Sequence, residues 1–314
     1  MALLEDKRLL VKVAYMYYEK GETQSEIAKT IGVSRSLISK YLTKAKELGI
    51  VEIIIHDSVT HPLMPLESQV EQKYNLREVM CVPTIESDDS KNRLGSAASK
   101  YLLRIIKGNE TVGVSSGTTL YEFATSMNST QPYKDLSFVP LVGGVGDERV
   151  DIHANHIVAK LAESLDAQYH LLHVPVMVDS KEAKEIIINQ SSIKNIFHIG
   201  SQADIAVVGI GGAPKHSTMV KSYLSQGNQG EFNDPEVVGD ICYNFIDREG
   251  NASLNSWNEK VISLELDKLK KIPLVIGVAS GKEKIEAIKA ALQGKLIHVL
   301  ITDELTAEGL LGDK

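Results

Sequence analysis

The stretch Val112–Ala124, VGVSSGTTLYEFA, decides how the rest of the chain is read. A valine-rich run ends at Val114, helical spacing begins at Leu120, and between them stand Ser115, Ser116, Gly117, Thr118 and Thr119. A strand that passes through a Gly/Ser/Thr loop into a helix is half of a βαβ unit, the building block of parallel sheets. The same loop turns backbone N–H groups and hydroxyls towards the helix N-terminus, where an anion is favoured. It is neither a Walker loop nor a dinucleotide fingerprint, because the glycine count and the lysine are wrong. A plain helix cap uses the same residue types, so the loop gains weight only from its surroundings.

Outward from it, helical and strand patterns alternate. Helices are expected over 66–74, 91–107, 120–127, 154–165, 179–190 and 282–293, and strands over 78–82, 110–114, 136–141, 169–174, 203–210, 273–279 and 297–302. Residues 241–245 and 252–254 around the turn 247–251 read as an inserted hairpin. Such alternation predicts an α/β domain of Rossmann-like type, with helices on both faces of a largely parallel sheet. Ligands of such sheets bind outside the carboxyl ends of the strands. Those ends are rich in glycine: Gly143 and Gly144, Gly209, Gly211 and Gly212, Gly239 before Asp240, and Gly281 before Lys282. Asp240 is suited to sugar hydroxyls, and Lys282 or Lys284 to a phosphate charge. The combination predicts a pocket for a small, hydroxylated, phosphorylated ligand and no cofactor. His153 with His156, and His170 with His173, lack a third ligand at proper spacing, so no metal site is expected.

Composition supports a folded protein: 43% of the 314 residues are hydrophobic, which excludes a disordered chain. No apolar run reaches the roughly 18 residues of a membrane span. The start, MALLEDKRLLVKVAYMYYEK, lacks a signal-peptide core, and Cys81 and Cys242 stand far apart, so a cytoplasmic protein with reduced thiols is expected. The net charge of −7 is uneven. Residues 1–50 hold nine bases and six acids, a net of +3, which leaves −10 for the remainder. A basic module on an acidic body keeps phosphate attraction local.

That module is Thr23–Val51, TQSEIAKTIGVSRSLISKYLTKAKELGIV, preceded by an apolar-faced helix over 8–20. Thr23 and Glu26 have capping-box spacing, Gly32 marks a left-handed turn, and Ser34 caps a helix running from Arg35 to Glu47. Its apolar positions are Leu37, Ile38, Tyr41, Leu42 and Ala45; Ser34, Arg35, Ser36, Ser39, Lys40 and Thr43 are left on the surface. In a helix-turn-helix the second helix enters the major groove, where Arg pairs with guanine and Ser or Thr donate or accept. Lys44 and Lys46 suit DNA phosphates. After Gly49, residues 50–55 read as a strand opening a wing.

Taken in order, this segment, then VGVSSGTTLY, PLVGGVG, HANHIVAKLAE, VVGDICYNFID and ASGKEKIEAIKAAL, resembles the SorC/DeoR-type sugar-responsive transcriptional regulators of bacteria along essentially the whole chain. The resemblance implies a winged helix-turn-helix over residues 1–56 and, over 57–314, an effector domain related to sugar-phosphate isomerases, assembled as a homo-tetramer. It implies a repressor of a carbohydrate operon, released from operator DNA by a phosphorylated sugar or polyol. Ser115, Ser116, Gly117, Thr118 and Thr119 would form the phosphate loop, Gly143 and Gly144 would line the pocket, Asp240 would face the sugar and Lys284 would reach a phosphate. Two positions depart from members of the family: Val145 replaces the Arg of those that take bisphosphates, and Val142 cannot form a Schiff base. A non-covalent monophosphate is therefore expected. The alternative is an isomerase-like enzyme with Asp240 or Asp147 as base, yet neither has a partner in sequence that would tune it. An RNA-binding protein would need aromatic platforms beside basic residues, and these are missing.

Overall fold

The computed structural model describes residues 6–53, 61–85, 90–144, 150–216, 234–253 and 255–312, and the chain divides into two compact units between Pro62 and Leu63. In the first unit, α1 (Lys7–Ala14) continues into a single π-helical turn, Tyr15–Glu19, followed by α2 (Gln24–Ile31) and α3 (Arg35–Glu47). Leu10 and Val13 of α1, Ile27 of α2, and Ile38, Tyr41 and Ala45 of α3 form its fully buried centre. This is the apolar stripe that helical spacing places on one side of each helix.

The strand expected over 50–55 does not begin at Ile50. The amides of Ile50 and Val51 both donate to the Ala45 carbonyl (2.8 and 3.2 Å), and both side chains pack on the three-helix core. Closing the last turn of α3 thus takes the groups a strand would need. Residues 50–53 carry no strand, and 54 and 55 lie outside the described residues.

The second unit opens with α4 (Met64–Tyr74), β1 (Glu78–Val82), α5 (Ser90–Ile105), β2 (Thr111–Val114), α6 (Thr118–Thr125) and β3 (Ser137–Pro140). It continues with α7 (Ala154–Leu165), β4 (Gln168–Tyr169), α8 (Lys181–Ile188), α9 (Ser191–Ser201) and β5 (Ile205–Gly211). Next come β6 (Gly239–Ile241), β7 (Asn244–Ile246), α10 (Ser256–Lys260), α11 (Leu266–Leu269), β8 (Leu274–Val278), α12 (Ile285–Gln293), β9 (Val299–Asp303) and α13 (Glu304–Leu311). Among the described residues seven strands lie in the order β1-β9-β8-β5-β2-β3-β4, every neighbouring pair parallel, while β6 and β7 form an antiparallel flap on the end of β5.

Period-two alternation sends neighbouring residues into separate cores. In β5, Ala206 and Val208 face one core and Ile205 and Val207 the other; in β9, Leu300 opposes Val299 and Ile301 in the same way. Helices α4, α12 and α13 cover the first core, and α5, α6 and α7 the second. The parallel sheet with helices on both faces is therefore present, buried as a sheet of this kind must be.

Three local expectations differ. The strand expected over 169–174 stops at Tyr169, because the Asn155 side chain binds both the N–H and the C=O of Leu172 (2.9 and 3.0 Å) and removes them from the ladder. The run 241–245 is not one strand: it folds back at Cys242 and Tyr243, and the turn around Asp247–Asn251 follows as a second reversal, with Ile246 bridged to Ala252. Helices α9, α10, α11 and α13 were not expected.

Candidate functional site

Two surfaces concentrate the polar residues singled out by sequence. On the first unit, the Thr23 N–H donates to Glu26 Oε2 (2.8 Å) and the Glu26 N–H to Thr23 Oγ1 (3.3 Å), a reciprocal cap. The Thr23 N–H, and after it the Thr23 hydroxyl, which donates to the same carboxylate oxygen at 2.7 Å, hold the Glu26 carboxyl below its ordinary range. Gly32 adopts φ 79°, which lets its own amide and that of Val33 both reach the Ala28 carbonyl. A β-carbon disfavours that conformation, so glycine sets the angle between α2 and α3. Ser34 then caps α3 by accepting from the Leu37 N–H (3.3 Å), and its hydroxyl pairs with that of Ser36 (2.9 Å). Arg35, Ser36, Ser39, Lys40 and Thr43 are exposed along α3, and the Thr43 hydroxyl donates to the Ser39 carbonyl. Lys44 is half-buried and pairs with Glu47 at 3.0 Å, whereas Lys46 is exposed beside the Tyr18 ring.

On the second unit, connectivity locates a crevice. After β2 the chain winds through α6 to β3 on one side; after β5 it winds to β8 on the other. The carboxyl ends of the adjacent β2 and β5 are thus the topological switch point, the preferred ligand crevice of such sheets. Ser115–Thr119 follows β2 directly. Gly117 is the N-cap of α6, at φ 129°, with no side chain bonded to the first turn. The Gly117 amide itself donates to the Ile152 carbonyl (3.0 Å). Ser115 is buried and its Oγ accepts from the Gly209 N–H at the end of β5 (3.2 Å). Ser116 and Thr118 are half-buried, and Thr119 is buried.

The flap brings in Asp240, whose carboxylate lies against Gly211 where any β-carbon would collide with it. Burial pushes the Asp240 carboxyl up to about 6, opposed by the Lys284 ammonium and by the Tyr243 N–H. Lys284 is in turn lowered by burial, with Glu283 and Asp240 opposing that shift and Lys91 adding to it. Lys284 therefore stands in the field of Asp240 at the end of β8.

Gly143 and Gly144 serve another purpose. Their amides donate to the carbonyls of Ile262 (3.0 Å) and Val174 (2.8 Å), and a β-carbon on Gly143 would come within 2.6 Å of the Pro175 carbonyl oxygen. Close backbone packing accounts for Gly143, whereas a β-carbon on Gly144 would meet its nearest atoms only at 3.8 Å; the N–H groups of both are already engaged and are not offered to an anion. Beside Gly144, His153 Nε2 is buried with no hydrogen-bond partner among the described residues. Val145 and Asp147 lie outside the described residues, as does the remainder of 145–149. Among the described residues no three His, Cys, Asp or Glu side chains converge as a metal site would require, and no helix is long and apolar enough to cross a membrane.

Sequence reasoning missed Tyr243. Its hydroxyl is hydrogen-bonded to Ser116 Oγ, and it is 9% exposed at the crevice. An aromatic inside an apolar run looks like strand packing, and no glycine marks the turn that redirects it.

The chain matches the family described as "Putative sugar-binding domain" over residues 59–312. It is 32% identical over 311 residues to the deoxyribonucleoside regulator of Bacillus subtilis, covering 98% of this chain and 99% of that protein. It is 30% identical over 311 residues to the sorbitol operon regulator of Klebsiella pneumoniae, covering 98% of each. The crystal structure of full-length SorC, the sorbitol operon regulator of Klebsiella pneumoniae, superposes with a TM-score of 0.73 at 30% identity, covering 98% of this chain and 99% of that one. These relatives are named as regulators, so the enzyme reading of the second unit gives way to a regulatory one. The chain belongs to the SorC/DeoR-type family of sugar-binding transcriptional regulators.

Proposed function

We propose that the chain binds operator DNA through residues 1–56, read as a winged helix-turn-helix, and a phosphorylated sugar or polyol through residues 57–314. The ligand releases the protein from the operator of a carbohydrate operon, so the protein is a repressor acting in the cytoplasm without a cofactor. Exposed Arg35, Ser36, Ser39 and Lys40 on the first turns of α3 support the DNA reading, since recognition helices meet base edges with their N-terminal residues. Ser34 caps that helix, while Thr43, Lys44 and Lys46 fall further along it, where phosphate contacts are made. Lys46 serves that role better than Lys44, which already has Glu47 as partner.

The single observation that carries the effector reading is the convergence of Ser115–Thr119 and Asp240 at the β2/β5 switch point. The uncapped first turn of α6 offers N–H groups and the Ser116, Thr118 and Thr119 hydroxyls to a phosphate. Asp240 takes sugar hydroxyls, and Lys284 adds positive charge behind it. Gly143 and Gly144 shape the neighbouring wall without donating. Val142 is buried and has no amine, so the ligand is held without a covalent bond. The names of the relatives, regulators of sorbitol and deoxyribonucleoside operons, support a carbohydrate-derived ligand. A thermal-shift screen of phosphorylated pentoses, hexoses and polyols beside their unphosphorylated forms tests this. Stabilisation by a phosphorylated member is expected; stabilisation by the unphosphorylated forms alone would overturn it.

A further inference from the structure

Cys242 and Tyr243 form the tip of the β6–β7 flap, both with left-handed backbone (φ 51° and 62°). Bulky residues seldom adopt this conformation, and it persists where the surroundings over-determine it, often at functional sites. The surroundings here are specific. The Tyr243 carbonyl accepts from Trp257 Nε1 (2.9 Å), and the Tyr243 N–H binds the Asp240 carboxylate. Asn244 Nδ2 donates to the carbonyls of Ile241, Cys242 and Leu264 (3.3, 3.3 and 3.0 Å). With its backbone held on both sides, the turn fixes where the phenol goes. It goes to Ser116, in the middle of the β2–α6 loop.

Ser116 Oγ donates to the Tyr243 oxygen. A serine hydroxyl has one proton and two lone pairs, and a tyrosine hydroxyl can donate as well as accept. An anion at the first turn of α6 takes the Ser116 proton in a hydrogen bond. Tyr243 can then rotate its own proton onto Ser116 Oγ, giving a chain from Tyr243 O–H to Ser116 O–H to the anion. No proton changes owner. Burial pushes the phenol up, which keeps it a donor at neutral pH. Hydrogen bonds in such a chain polarise one another.

We propose that Tyr243 is a positioning residue of the effector site, which turns Ser116 into an oriented donor for a phosphate group and so favours phosphorylated ligands. This rests on the reading of Ser115–Thr119 as a phosphate loop. The test uses the full chain and inorganic phosphate as probe, with dissociation constants from 31P line broadening. Wild type is compared with Ser116→Ala, Tyr243→Phe, the double variant and Tyr243→Asn. Asparagine accepts left-handed backbone readily, so it keeps the turn if phenylalanine disturbs it. Each Tyr243 variant and Ser116→Ala should weaken binding about 3- to 10-fold, the range of one hydrogen bond. The double variant should bind no more weakly than Ser116→Ala, because Tyr243 acts only through Ser116. If both Tyr243 variants bind like wild type, or if the two losses multiply, the role of Tyr243 is overturned while the phosphate loop stands. If Ser116→Ala binds like wild type, or wild type binds no phosphate, the loop reading falls and this role with it.

Discussion

Asp240 is a buried carboxyl held near an ammonium, and its proton affinity differs between the folded and unfolded chain. Its folded value of about 6 lies above the ordinary 3.8, so the folded state holds the extra proton between those limits. Where the folded state binds more protons, stability falls as pH rises; this group therefore removes stability progressively from about pH 4 to pH 6, and above that range the loss is complete and constant. Asp240→Asn abolishes that slope. Unfolding free energies of variant and wild type should thus diverge in favour of the variant by up to about 3 kcal/mol between pH 4 and pH 7. Parallel pH profiles would mean that Asp240 is solvated and not set in the crevice. At the DNA surface, two basic residues should separate in their effects. Arg35→Ala should cost about 1–3 kcal/mol on the operator and relax preference at one base pair. Lys46→Ala should weaken binding to all sequences alike and flatten the salt dependence. Competition binding across single-base operator variants at two salt concentrations distinguishes them, and identical profiles would mean that α3 is not the reading helix.

Elements report how much local chemistry was legible. The capping box, the left-handed Gly32 and the Ser34 cap each state a boundary in residue types that few other conformations favour, and α2 and α3 have the expected ends. Gly32→Ala should therefore cost about 1 kcal/mol, read as faster hydrogen exchange across α2 and α3. Exchange unchanged from wild type would remove the turn from the account. The central strands were legible because continuous apolar runs between glycines have few alternatives. The remainder depended on partners distant in sequence. The strand after α7 is cut short by Asn155, and the strand expected after Gly49 yields to the closing of α3 by Ile50 and Val51. Helix α9, by contrast, carries its signal in plain view, since Ile193, Ile196, Phe197 and Gly200 recur at i, i+3, i+4 and i+7 and are among its half-buried or buried positions; sequence reasoning missed that spacing. The flap turn has no glycine at Cys242 or Tyr243; Trp257, Asn244 and Asp240 hold it instead. The crevice was legible as loops but not as a set, because Tyr243 enters only through that turn.

At the scale of the whole molecule, helix-turn-helix proteins with two-fold symmetry read paired half-sites separated by whole turns of about 10–10.5 base pairs. A dimer or tetramer is expected by light scattering at working concentration, and a monomer would contradict paired half-site reading. Regulation adds a thermodynamic demand. A ligand shifts DNA binding only by its different affinity for the bound and released states, and the coupling must be reciprocal. Separate residues should therefore govern grip and release. The most direct test is fluorescence anisotropy of labelled operator DNA with wild type and with a Thr118→Ala, Lys284→Ala double variant, each titrated with the sugar phosphate that stabilises the protein best and with its dephosphorylated form. Wild type should leave the DNA as the phosphorylated ligand is added and remain bound with the other, and the double variant should remain bound with both. Release of the double variant at the wild-type ligand concentration, or equal release of wild type by the dephosphorylated form, would contradict a phosphate-anchored effector site.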